Sequence, residues 1–310
     1  MSSVYIQLII DSIRGSSMNT LFIVNPAAGR GKCFRIWTRF EEVLQEKANF
    51  PYAVRLTRNK GDAKKFSATA LQEGFERIIS VGGDGTLNEI VNGVVTAKII
   101  LGILPFGTGN DLAHALNLSL DFSQLMKALV SPTIRNIDLV KINQDYFINA
   151  SGIGIDGYVV KHIDSRPMIK KLGKIGYMLS AFQTLMQYHP VQLNVTIDGE
   201  NRVLSNVWIL AMANGPYFGG GMKICPDASL TDGLLDLCMV QNLTKLSFLK
   251  LFPLVYSGRH VQQHQYVTTL KAKKVTFDSP AHLVLQMDGE IKESTSVTVE
   301  VIPGAIQLIT

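Results

Sequence analysis

Gly82-Gly83-Asp84-Gly85-Thr86-Leu87-Asn88-Glu89 sets three glycines and two carboxylates where an apolar run gives way to a helical pattern. Glycines let backbone N–H groups approach an anion, a helix N-terminus adds the positive end of its dipole, and Asp84 can act through magnesium. The stretch can therefore cradle the phosphates of a nucleotide. Two further loops share this logic: Asn25-Pro26-Ala27-Ala28-Gly29-Arg30-Gly31 and Pro105-Phe106-Gly107-Thr108-Gly109-Asn110-Asp111 each follow a strand-like run and open a helix. Any one of them is readily a plain turn, but three in successive strand–helix units converge on one edge of a parallel sheet. None has the GxxxxGK[ST] spacing of a Walker A loop. Far downstream, Met287-Asp288-Gly289-Glu290 offers two carboxylates on a turn. Read alone this is a hairpin turn, yet phosphorylating an alcohol needs a base for the hydroxyl proton, and paired acids suit that task.

The elements that must hold these loops begin at Thr20. An apolar run at 21–24 leads through the first loop into a helical stretch at 30–47, where Trp37, Phe40 and Leu44 share a face. A strand at 52–56 is followed by Asp62 as the N-cap of a helix at 63–72; then come a strand at 77–81, a helix at 87–95 and a strand at 99–104. Such alternation predicts a parallel sheet covered by helices. After about Ile137 strand-like stretches recur at 191–197, 203–213, 234–240, 275–277 and 283–287, with helical segments only at 175–188 and 245–256. The reading is an α/β domain followed by a strand-rich one, and residues 297–310 can pair with either.

The chain is 310 residues long, 46% hydrophobic and 18% charged, an ordinary globular profile with room for two domains. Its net charge of +5 favours an anionic partner such as nucleotide or an acidic membrane surface. Cys33, Cys225 and Cys238 form no CxxC pair, which points away from a disulfide framework or zinc site and toward a reducing, cytosolic compartment. The apolar run at 4–10 is far below the ~20 residues of a membrane span. Met18 reads as the natural start, with residues 1–17 an extension.

Several signals are set aside. Gly152-Ile153-Gly154-Ile155-Asp156-Gly157 matches a dinucleotide fingerprint but lies in the wrong half of the chain, and is read as lining the interdomain cleft. His260 and His264 have zinc-helix spacing without the glutamate base and are read as surface histidines; Gly219-Gly220-Gly221 is read as a flexible loop near the cleft. Arg166, Lys170, Lys171 and Lys174 form a basic cluster, more commonly a solvated face than a site for anionic head groups. Aromatic–basic interleaving is lacking, so no nucleic-acid partner is expected.

The three loops, with Gly61-Asp62-Ala63 after Thr57, resemble the catalytic domain shared by diacylglycerol kinases, sphingosine kinases and related bacterial lipid kinases, from about Thr20 to the C-terminus. The resemblance implies a fold like that of NAD kinases and phosphofructokinases: an α/β nucleotide domain, 18–137 with about 297–310 returning to it, and a β-sandwich domain, 138–296, with the active site between them. It implies ATP and Mg2+ as cofactors, and nucleotide binding by Asn25, Pro26, Ala27, Ala28, Gly29, Thr57, Gly82, Gly83, Gly85, Thr86, Leu87, Asn88, Glu89, Gly107 and Thr108, with Asp84 the critical carboxylate. Asn110, Asp111 and Asp138 would join its hydrogen-bonded network, and Asp288 or Glu290 would accept the proton. Asp232, through its side chain, and Ser229 and Leu234, through their carbonyls, would hold a structural magnesium ion. The expected substrate is a lipid hydroxyl at the inner face of a membrane, most simply that of diacylglycerol, met by reversible peripheral contact. A same-fold kinase for another lipid or a soluble alcohol, a nucleotide-binding regulator without turnover, and a homodimer all stay compatible with these residues.

Overall fold

The computed structural model describes residues 18–95, 98–164, 174–288 and 290–310. The expected extension at 1–17, Arg166, Lys170 and Lys171 of the basic cluster, and Gly289 lie outside these residues.

Strands β1 (Thr20–Val24), β2 (Tyr52–Leu56), β3 (Arg77–Gly82) and β4 (Ile100–Pro105) pair in parallel in the order β4-β3-β1-β2. Alternating side chains leave opposite faces of a strand, so β1 divides its residues between two cores. Leu21 and Ile23 pack with Ala63 and Ala70 of α2 (Asp62–Ala70) and with Leu87, Ile90 and Val91 of α3 (Asp84–Val94). Phe22 and Val24 meet Cys33, Trp37, Phe40 and Leu44 of α1 (Lys32–Lys47), together with Leu125, Met126 and Leu129 of α5 (Phe122–Val130). The buried positions of α1 recur at helical spacing, and the result is a helix–sheet–helix sandwich. Between β4 and α5 lies the short α4 (Asp111–Ala115).

Two helix starts differ from expectation. α1 begins at Lys32 rather than at residue 30, because Gly29, Arg30 and Gly31 all take positive φ (59°, 59° and 81°). Asp62 does not cap α2. Its carboxylate accepts from the Arg58 and Asn59 N–H groups, closing the preceding turn, and Gly61 occupies the cap position.

The second half of the chain is largely antiparallel: β5 (Ile134–Ile142), β6 (Asp145–Phe147), β7 (Ala150–Gly154), β8 (Val191–Ile197), β9 (Glu200–Ala213), β10 (Leu235–Gln241), β11 (Val267–Ala272), β12 (Lys274–Met287) and β13 (Glu290–Ile309). It is a β-sandwich domain whose interior holds Val140, Phe147, Leu193, Leu210, Leu237, Phe277, Leu285 and Val299. The strands expected at 275–277 and 283–287 are one strand, β12, with an irregularity between Asp278 and Leu283. A helix absent from the sequence reading, α6 (Ile155–Asp164), follows β7; its glycine and β-branched residues weaken the helical signal. With α7 (Lys174–Gln187) and α8 (Lys245–Val255) it covers the outer face, where Val159, Leu185, Phe248 and Leu251 join Trp208, Ala211 and Cys238 in one core. His260 belongs to this interior rather than to the surface: it is fully buried, with Nε2 3.0 Å from the Ile224 carbonyl and 3.8 Å from Cys238 Sγ, while His264 is exposed.

β13 joins the two halves. It pairs with β12 from Glu290 to Glu300, then with β5, and Gln307 and Leu308 run parallel to Ile100 and Leu101 of β4. Among the described residues no helix is long and apolar enough to cross a membrane.

Candidate active site

The glycine loops meet at the carboxyl ends of β1, β3 and β4, and they meet through backbone. A Cβ on Gly107 would stand 2.3 Å from Gly83 Cα, one on Gly29 2.7 Å from the Phe106 carbonyl oxygen, and one on Gly82 2.6 Å from Thr86 Oγ1. No side chain fits at these contacts, which is why glycine occupies them. Asn25 braces the first loop against the second: its N–H donates to the Val81 carbonyl (2.9 Å) and Nδ2 to Thr86 Oγ1 (2.9 Å), while Oδ1 accepts from the Ala27 N–H (3.1 Å). Thr57 is drawn beside it, donating its N–H to the Val24 carbonyl at 2.8 Å. Asn110, at φ 57°, shapes the third loop by donating Nδ2 to the Pro105 carbonyl (2.9 Å) and accepting from the Gly107 N–H (3.1 Å). Pro26, Ala27 and Ala28 line the rim, and Gly85 and Thr108 are exposed there.

Residues 25–29, 82–86 and 107–108 thus come together, and the rest of the second motif does not join them. Leu87 is buried between sheet and helices. Asn88, also buried, accepts from Asn92 Nδ2 at 2.9 Å. Glu89 accepts from the Gly61 N–H (3.0 Å) and the Ala63 N–H (3.1 Å), so its carboxylate caps α2 from a neighbouring helix.

Three carboxylates stand behind the loops. Asp84, the first residue of α3, is pushed up to about 6, chiefly by burial and next by the charge of Asp111; its contacts to the Leu112 N–H and Asn149 Nδ2, both 3.5 Å, are at the limit of hydrogen bonding. Asp111 is also raised by burial, against which the N–H groups of Gly220 (2.9 Å) and Gly221 (2.7 Å) act. Those bonds tie down the Gly219-Gly220-Gly221 run, which is an anchored turn rather than a flexible one. The third acid comes from the other domain. Asp288, at φ 43°, turns inward and accepts from the Ile148 N–H (3.0 Å) and the Ala150 N–H (3.2 Å). Burial, with a contribution from the charge of Asp84, raises it to about 7. The side chain of Glu290 lies outside the described part of the structure.

Asn149 links the two acids, with its Nδ2 toward Asp84 and its N–H toward Asp288 (3.5 Å each). Its carbonyl accepts from the Asn214 N–H (2.8 Å), and Asn214 Nδ2 donates to the carbonyls of Asp138 and Ile148 (2.9 Å each). Neither asparagine stands out in the sequence; the only trace of Asn149 is its place before a glycine-rich strand. Two raised acids, Asp288 buried and Asp84 half-buried, form a hard-oxygen donor set short of positive charge, which suits a divalent cation.

Asp138 sits apart from this cluster. Its two oxygens accept from the Gly233 N–H (2.7 Å) and the Gly304 N–H (2.8 Å), pinning a loop of the second domain to β13. Asp232 is engaged as well: Oδ1 accepts from the Leu234 N–H (3.1 Å), and Oδ2 holds Lys271 Nζ at 2.6 Å. Ser229 Oγ lies 3.5 Å from Thr231 Oγ1. Both oxygens of the side chain that the resemblance assigns to a structural magnesium ion are therefore engaged, one of them by an ammonium group, and the residues present do not fit that ion.

The diacylglycerol kinase catalytic domain matches residues 19–142, and the YegS C-terminal NAD kinase beta sandwich-like domain matches 150–310. Diacylglycerol kinase of Bacillus subtilis (strain 168) is 30% identical over 276 residues, covering 86% of this chain and 88% of its own. YtlR of the same organism, named as a candidate lipid kinase, is 31% identical over 306 residues, 93% of this chain and 98% of its own. A crystal structure of a candidate diacylglycerol kinase from Bacillus anthracis str. Sterne superposes with a TM-score of 0.77 at 25% identity, covering 94% of this chain and 95% of that one. Matching domains, relatives and backbone agree with the converging loops and acids, and the chain belongs to the diacylglycerol kinase catalytic-domain family, in the form that carries a YegS-type C-terminal domain.

Proposed function

We propose that this protein is an ATP- and magnesium-dependent lipid kinase that phosphorylates a lipid hydroxyl, diacylglycerol in the first instance, at the cytoplasmic surface of a membrane that it contacts peripherally. The observation that carries the reading is the approach of Asp288, from the β-sandwich domain, to Asp84 at the mouth of the glycine loops. The loops at 82–86 and 107–108 form the edge where nucleotide phosphates would lie, with Gly85 and Thr108 exposed there, and Asp84 would hold magnesium, which offsets charge on the phosphates.

Asp288 is the proton acceptor in this reading. Burial holds its carboxyl near neutrality, where a base is both ionised in part and able to take a proton. As the lipid hydroxyl oxygen bonds to the γ-phosphorus, its proton passes to Asp288, the bond to the β-phosphate oxygen breaks, and ADP leaves. Asn149 keeps the two acids in register, and the backbone bonds to Asp288 fix the direction of its free lone pairs.

The test is transfer of radiolabelled γ-phosphate from ATP-magnesium to micellar diacylglycerol, phosphatidylglycerol, a sphingoid base and a polyprenol, with Asp84→Ala and Asp288→Asn as controls. Label on one lipid, absent with both variants, establishes the reaction and its acceptor. Bound ATP without transfer to any lipid would overturn it in favour of a soluble acceptor or a regulator.

A further inference from the structure

The loop at 229–234 carries its own cation. Strands β10 and β11 are antiparallel with Asp236 directly opposite Lys271, so the sheet register itself delivers the lysine stem beside that acid. From there Nζ reaches 2.6 Å to Asp232 Oδ2 and 3.4 Å to Asp236 Oδ2. Asp236 is buried. Two acids converge here and one ammonium answers both. Magnesium demands near-octahedral ligands at about 2.0–2.1 Å, so an ion on Asp232 would have to displace either the Leu234 N–H from Oδ1 or the ammonium from Oδ2, with a second positive charge held on the same carboxylate. The two cations exclude each other.

We propose that the Lys271 ammonium takes the place of a structural divalent cation in this chain, acting as the built-in counter-ion that fastens loop 229–234 to β11, so that the second domain needs no magnesium of its own. The fastening reaches further than the loop. The Leu230 carbonyl accepts from the Asp138 N–H (2.7 Å), the Gly233 N–H donates to the Asp138 carboxylate, and that carboxylate also holds Gly304 in β13. Lys271 therefore supports the strand shared with the nucleotide sheet, whatever the protein phosphorylates.

The test is thermal unfolding of the full chain without nucleotide, in EDTA and through a magnesium titration at constant ionic strength. Any magnesium-induced rise in Tm should be the same in the wild type and in Asp232→Asn, because whatever ion binds goes to the carboxylates at the glycine loops. Lys271→Met should unfold at lower temperature in EDTA and gain a saturable magnesium stabilisation that Asp232→Asn, added to it, removes; Lys271→Arg should behave as the wild type. A saturable rise in the wild type that Asp232→Asn abolishes would overturn the proposal. So would wild-type stability of Lys271→Met in EDTA. Should Lys271→Met fail to fold, the comparison of wild type with Asp232→Asn still decides.

Discussion

At the scale of single residues, the raised carboxyls set both activity and stability. With Asp288 as base, its carboxyl must be ionised, so log(kcat/KM) should fall with decreasing pH from about 7. A pH–rate profile at saturating magnesium checks this, and Asp288→Asn should lower kcat by about 10²–10⁴-fold, the usual share of a general base. The stability effect has the opposite sign. A carboxyl raised on folding binds more protons in the native than in the unfolded chain, so its contribution weakens as pH rises through the window between its ordinary value and about 6. Asp84→Asn, which removes a charge that burial disfavours, should therefore stabilise the nucleotide-free protein by about 1–3 kcal/mol at pH 8 while abolishing transfer. Denaturant melts at pH 8 and pH 4 give the answer, since the gain should vanish at the lower pH.

At the scale of elements, the loops are positioned by contacts too tight for side chains. Gly107→Ala must push Gly83 aside, because the new methyl would meet backbone at 2.3 Å with nothing flexible to yield. The expectation is at least a tenfold loss of nucleotide affinity by calorimetry, with the far-ultraviolet circular dichroism of the fold retained. Glu89 belongs to this scale as well. If its carboxylate caps α2, Glu89→Ala should cost about 1–2 kcal/mol of stability and leave nucleotide affinity nearly unchanged. A tenfold rise in Kd with unaltered stability would instead make it a ligand of the nucleotide.

At the scale of the whole molecule, β13 makes the two domains depend on each other. Ile306, Leu308 and Ile309 are buried in the cores of the α/β domain although the strand begins in the sandwich. Ending the chain after Val301 removes these side chains and the pairing with β4, so the truncated protein should lose the cooperative unfolding transition of the nucleotide domain. Hydrogen exchange should show β1, β3 and β4 losing protection while the interior of the sandwich keeps more of its own. Asp138 explains why the join is firm. It clasps Gly304, at the irregularity in β13, and the loop at Gly233 with one carboxylate, close to where β13 leaves β12 and goes on to pair with β5 and β4.

The amino-acid sequence determined what is local. Strand alternation, the helical spacing of Trp37, Phe40 and Leu44, and glycines at strand ends are encoded over short stretches, which is why the parallel sheet and the three loops were legible, and with them the family. It determined less where a side chain's partner lies far along the chain. Glu89 reads as part of a nucleotide motif, and only the packing of α3 on α2 turns it into a cap. Asn149 gains its place from the return of β12 beside β7, which brings Asp288 to a strand start more than a hundred residues earlier. Asp232 reads as a magnesium ligand until the register of β10 on β11 brings Lys271 to it. In each case the deciding contact is fixed by sheet register and helix packing, which depend on the whole hydrophobic pattern of the chain rather than on the motif that contains the residue.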